Sequence, residues 1–124
     1  MGADLDDRHL SGTNLSNSCL IGTNLVNAKL IQANLTNANL VNANLTNASL
    51  EGACLREADL RGINLSEARL RGADLTYAEL SKANLVWTNL INARNVYVLQ
   101  TDGILLWNTR MPDGSLEVGP RYSR

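Results

Sequence analysis

A chain of 124 residues has room for one domain. Its net charge of −1 gives no bulk electrostatic reason to bind nucleic acid or an acidic membrane surface. With no Phe and only 4 % aromatic residues, an ordinary globular core is excluded, and something smaller and more regular must fill the interior.

The chain opens Met1-Gly2-Ala3-Asp4-Leu5, with no basic-then-apolar leader, and no later stretch approaches the ~18 apolar residues of a membrane-spanning helix. A cytoplasmic location is therefore expected, without membrane attachment. From Leu5 to Leu90, Leu occupies every fifth position, eighteen times without a miss. Two residues before each Leu, and before Asn95, stands a small residue in most cases: Ala fills thirteen of these nineteen positions. Thr13, Ser18, Thr23 and Thr88 are small substitutes, whereas Arg8 and Ile63 are not. A period of five matches neither helix nor simple strand. On a helix, successive Leu residues would be scattered by about 140°; on a flat strand they would alternate between faces. A chain that turns a corner every five residues keeps them together. Four such sides close a square coil of twenty residues, although the period alone leaves the number of sides open.

The units Ala38-Asn39-Leu40-Val41-Asn42 and Ala73-Asp74-Leu75-Thr76-Tyr77 resemble the A-(D/N)-L-x-x unit of the pentapeptide-repeat family. The resemblance covers residues 3–95. It implies an all-β fold: a right-handed quadrilateral β-helix of about four and a half 20-residue coils, with Leu and the preceding small residue inside. The two residues after each Leu then form a corner. A type II turn needs positive φ at its second central residue, a position held by Gly or Asn in eleven of eighteen corners. Corners ending in Gln32, Glu57, Glu67, Tyr77 or Trp87 are expected to use another turn type, because positive φ is costly there. Residues twenty apart should stack, so Asn24, Asn44, Asn64 and Asn84 are expected to form an external amide ladder. Glu51 with Arg71, and Asp74 with Arg94, should form stacked ion pairs.

Both ends depart from the pattern. Arg8 holds an interior position where a buried charge would be costly, so the first coil should be frayed, open to solvent or covered by another chain. At the other end the phase breaks at Asn95. Residues 96–124 read as a capping segment, with apolar runs Val96-Tyr97-Val98-Leu99 and Ile104-Leu105-Leu106-Trp107. Met111-Pro112-Asp113-Gly114-Ser115 reads as a tight turn with Pro at its second position, and it is similar to the ending of many cyanobacterial family members.

Little in the sequence suggests catalysis. His9 is the only histidine, and Cys19 and Cys54 are thirty-five residues apart. That separation is about 8 Å along the coil axis alone, too far for a disulfide, so free thiols are expected. No zinc set or phosphate loop can be assembled from these residues. No cofactor, metal or small-molecule substrate is expected, and the chain reads as a non-enzyme. The leading reading is a structural or protein-interaction module presenting a rigid, flat-sided surface. Candidate surface residues are Ile21, Val26, Ile31 and Val41 after their Leu residues, together with Trp87, Tyr97, Leu106 and Trp107 near the C-terminal end. The last four could instead form a homodimer interface at that coil end. The resemblance also implies an alternative, a DNA mimic that binds DNA gyrase in the manner of quinolone-protecting family members. Mixed charge argues against it: six carboxylates between Glu51 and Glu79 face five cations between Arg56 and Lys82.

Overall fold

The structure, a computed structural model, describes residues 2–96 and 103–123. Among these, each residue just before a Leu, from Asp4 to Asp74, forms a parallel bridge to the residue twenty positions later. The bridges fall into four ladders, which begin Asp4–Asn24, His9–Lys29, Asn14–Asn34 and Cys19–Asn39. Four ladders make four sides, which settles the point the period leaves open.

Where Asn or Asp precedes Leu, a five-residue unit inside the coil finds an acceptor for each of its backbone N–H groups. Three N–H groups per unit run along the axis between coils. In one unit Leu25 N–H donates to Asn44 O at 2.7 Å, Asn27 N–H to Thr46 O at 3.0 Å, and Asn24 N–H to Ala3 O at 2.8 Å. A fourth closes the corner, as Ala28 N–H does on Leu25 O at 3.0 Å. The fifth lies in the corner itself and has no backbone acceptor. The Asn or Asp before Leu supplies one: Val26 N–H donates to Asn24 Oδ1 at 3.1 Å, Ser66 N–H to Asn64 Oδ1 at 3.0 Å, and Thr76 N–H to Asp74 Oδ1 at 3.1 Å. This is the local bond that Asn and Asp side chains make to backbone two residues on. It gives the recurrent Asn a specific task.

Inside, every fifth Leu from Leu25 to Leu90 is at most 4 % exposed. The Ala positions between them, the half-buried Ala78 excepted, are closed by neighbours above and below. Buried hydroxyls at Thr88 and Thr109 are satisfied by Leu carbonyls, donating to Leu65 O at 2.7 Å and Leu85 O at 2.5 Å.

The corners correct one sequence expectation. Gln32, Glu57, Glu67, Tyr77 and Trp87 all have positive φ, between +58° and +60°, like the Asn corners. The αL conformation costs such a residue about 1–2 kcal/mol. A different turn would cost more. It would forfeit the corner bond, Ala33 N–H to Leu30 O, and the intercoil bond, Gln32 N–H to Glu51 O, each contributing about 0.5–1.5 kcal/mol. It would also swing the next Leu out of the core, at a cost of roughly 2–5 kcal/mol. Register therefore overrides local preference.

From Gly103 on, the described residues follow the coil in a shifted phase. Strands β1 (Leu105–Leu106) and β2 (Thr109–Arg110) extend two of the ladders through parallel bridges Asn84–Leu105 and Asn89–Arg110. Their spacing is twenty-one residues instead of twenty. Ile104, Leu106, Thr109 and Met111 thereby take interior positions. Strand β3 (Leu116–Glu117) pairs antiparallel with β2, and β4 (Arg121–Tyr122) with β1. Because β1 and β2 already meet the coil on one edge, β3 and β4 occupy the other, where unpaired backbone would otherwise invite a further chain. Between β2 and β3, Gly114 N–H closes a turn on Met111 O at 2.8 Å, and Gly114 itself takes φ +86°, which places the Pro112 turn as the sequence suggests. Tyr97, Val98 and Leu99 lie outside the described residues.

Candidate interaction surface

With the interior filled by apolar side chains, chemistry is confined to three exterior positions per unit, the residue before Leu and the corner pair after it. The side bearing Asn24, Asn44, Asn64 and Asn84 is uncharged beyond Asp4. The ladder expected there exists as a backbone ladder, but its amides do not bond one another; their Oδ1 atoms are turned to the corner N–H groups, and only Asn24 Nδ2 reaches a stacked neighbour, Asp4 Oδ1 at 3.1 Å. Amide-to-amide bonds occur instead between corner residues, Asn37 to Asn17 at 2.8 Å and Asn47 to Asn27 at 2.7 Å. Corner side chains have no backbone duty, so both ends of the amide are free to stack.

The charged half is largely neutralised pairwise. Arg61 makes a bidentate contact with Asp59, with Nε to Oδ1 at 2.7 Å, and lies 3.8 Å from Glu79. Asp74, only 7 % exposed, lies 3.3 Å from Arg56 and 3.5 Å from Arg94. The Asp74–Arg94 stack is thus present, whereas Glu51 turns to Arg69, at 3.7 Å, and not to Arg71. Arg69 stacks on Ser49, two residues before Glu51, and is held there by its bond to Ser49 Oγ. The Thr76 hydroxyl holds the Asp74 carboxyl below its ordinary range, with Arg56 and Arg94 adding to the effect. Arg61 does the same for Asp59. A depressed folded-state pKa stabilises the fold above the ordinary aspartate range, about pH 4, and that contribution is lost as pH falls through the folded value.

The candidate apolar residues do not share one face. Ile21 and Val41 stack on one corner column, Val26 lies on the next and Ile31 on the one after. Leu106 is a correction: it is 0 % exposed, because the phase shift places it above Leu85 in the core column. Tyr97 lies outside the described residues. Trp87 and Trp107 are exposed at adjoining levels of one corner, where Trp87 N–H donates to Trp107 O at 2.7 Å. Val118, 62 % exposed, joins them through Asn108 N–H to Val118 O at 3.2 Å. Tyr122 is exposed opposite Leu105. The sequence offers no signal for Val118 or Tyr122, since two-residue strands carry no readable alternation. A shallow groove follows the corner column of Val41, Asn42, Arg61, Gly62, Ser81 and Lys82, but its Arg61 is already engaged by carboxylates.

Cys19 is exposed and Cys54 half-buried, both as free thiols. Among the described residues, no group of three His, Cys, Asp or Glu is placed to hold a metal ion, and no helix is long and apolar enough to cross a membrane.

Known proteins supply the comparison. The family profile described as pentapeptide repeats (8 copies) matches residues 1–37, 23–62 and 53–92. A solved pentapeptide repeat protein from Nostoc is 36 % identical with a TM-score of 0.72, covering 83 % of this chain and 84 % of its own. One from the Arabidopsis thaliana thylakoid lumen is 32 % identical with a TM-score of 0.65, covering 81 % of each chain. QnrB1, a plasmid-mediated fluoroquinolone resistance protein, is 20 % identical with a TM-score of 0.68, covering 89 % of this chain and 58 % of its own; at that identity the likeness concerns the fold alone. No curated protein matches the sequence. Four parallel ladders at twenty-residue spacing, an interior of Leu and Ala, and these matches converge: the fold is a right-handed quadrilateral β-helix, and the chain belongs to the pentapeptide repeat family.

Proposed function

We propose that this chain is a non-catalytic interaction module. About four and a half coils spanning residues 3–95 form a rod roughly 22 Å tall, and residues 96–124 close its C-terminal edge. The observation that carries this reading is the division of labour within the repeat. Leu and Ala leave the interior no space for a ligand, and Oδ1 of each Asn before Leu is committed to the backbone. What remains outward on the Asn44 and Asn64 side is a ladder of Nδ2 donors at coil spacing on a rigid plane. Such a plane suits a protein surface able to accept hydrogen bonds across several coils.

The test replaces Asn44 and Asn64 with Arg together, after a partner has been captured by cross-linking and identified by mass spectrometry. Loss of at least tenfold in affinity for that partner is expected while the circular dichroism spectrum stays that of the folded coil, with a somewhat lower melt because the corner N–H groups of Thr46 and Ser66 lose their Oδ1 acceptors. Undiminished binding by this variant, with loss on substitution of Trp87 and Trp107, would move the recognition surface to the C-terminal corner and defeat the proposal.

A further inference from the structure

The N-terminal edge of the coil carries unused pairing capacity with a definite geometry. In later coils each residue before Leu points both its N–H and its C=O toward the preceding coil. Asn24 N–H donates to Ala3 O at 2.8 Å, and Asn24 O accepts from Leu5 N–H at 2.7 Å. In the first coil the equivalent residues are Asp4, His9, Asn14 and Cys19. Among the described residues none of them makes either bond. The edge therefore displays four donor–acceptor pairs, one per side, around the half-covered side chains of Leu5, Leu10, Leu15 and Leu20.

Such an edge is complementary to itself. In an antiparallel pair, facing residues can exchange both N–H to O=C bonds. A coil edge is a ramp that climbs one coil spacing per circuit and ends in a step. A two-fold rotation perpendicular to the axis lays a second ramp parallel to the first. The two steps coincide in one register, in which facing residue numbers sum to 23. Asp4 then faces Cys19 of the second copy, and His9 faces Asn14. Asp6 and Asp7 fall opposite the neutral Asn17 and Ser16. Interior positions mesh small against large: Ala3 on Leu20, Leu5 on Ser18, Leu10 on Thr13.

One pair spoils the fit. Arg8 falls opposite Leu15. In its own column Arg8 lies beneath Ala28, Ala48 and Ala68, all 0 % exposed, while Arg8 itself is exposed. Closing the edge would bury two guanidinium groups, one per copy, without partners. Inward-pointing charge is a known way to keep a sheet edge from pairing.

We propose that the N-terminal edge is a two-fold, self-complementary surface for a second copy of this chain, and that Arg8 is the residue that holds it open. Facing Cα atoms in such a pair lie about 5.5 Å apart, within disulfide reach, and the native Cys19 supplies one half of a reporter. The experiment compares Asp4→Cys with Asp4→Cys/Arg8→Ala in the full chain, both carrying Cys54→Ser, under mild oxidation. Circular dichroism first verifies that both fold. The double variant is expected to give at least tenfold more covalent dimer on a non-reducing gel. Peptide mapping should find a bond between residues 4 and 19 of different copies, and light scattering should show dimers of Arg8→Ala even when reduced. Equal cross-linking with and without Arg8 would overturn its role. A monomeric Arg8→Ala protein, or bonds joining other residue pairs, would overturn the surface and its register.

Discussion

Replacing Ala48 with arginine is expected to abolish cooperative folding. Ala48 is 0 % exposed between Ala28 and Ala68, which are equally closed, so there is neither volume for the side chain nor a counter-ion. Burying one unpaired charge costs several kcal/mol, and forcing the coils apart adds the loss of intercoil hydrogen bonds on that side. A domain of this size has roughly 5–15 kcal/mol of stability in total. The variant should therefore lack the sharp urea transition of the parent when followed by circular dichroism. Arg8 holds the same column one end further down and is tolerated because its coil edge is open. A folded Ala48→Arg protein with near-parental stability would mean that the interior is far looser than the exposures indicate.

The second large effect concerns the tail. Leu106→Ala should destabilise by about 2–5 kcal/mol, the range for a large-to-small change in a closed core. Its neighbour Trp107, 44 % exposed, should lose at most roughly 1 kcal/mol when replaced with Ala. Urea midpoints of the two variants, measured side by side, check this. A reversed order would place Trp107 inside and Leu106 on the surface, contrary to the twenty-one-residue offset that aligns β1 with Asn84.

These two residues also mark where the sequence could be read and where it could not. The body of the coil was legible because its cause is local and repeated: Leu every fifth residue admits few geometries that bury all eighteen. The role of Asn before Leu was only half legible. Its outward position follows from the frame, but its bond to the corner N–H depends on an orphan donor that appears only once the backbone is traced. The corners at Glu57, Tyr77 and Trp87 were misread because propensity speaks for one residue, whereas the register of neighbouring coils binds them all. Ile104, Leu106, Thr109 and Met111 were not recognised as further interior positions because a one-residue shift after Asn95 breaks the count. The apolar group of Trp87, Trp107 and Val118 was legible only in its tryptophans, since Val118 arrives through β3 and the turn after it.

The surface is the functional claim, and charge is its sharpest discriminator from other activities that the family resemblance implies. A DNA mimic needs a continuous acidic face. Here Asp59, Glu79, Asp74 and Glu51 each lie within 4 Å of an arginine. The most direct measurement is DNA supercoiling by gyrase, titrated with the purified chain in the presence and absence of a quinolone. Unchanged supercoiling and unchanged quinolone sensitivity up to high micromolar protein are predicted for a neutral interaction module. Inhibition or protection at low micromolar protein would contradict that account and make the chain a topoisomerase regulator despite its paired charges.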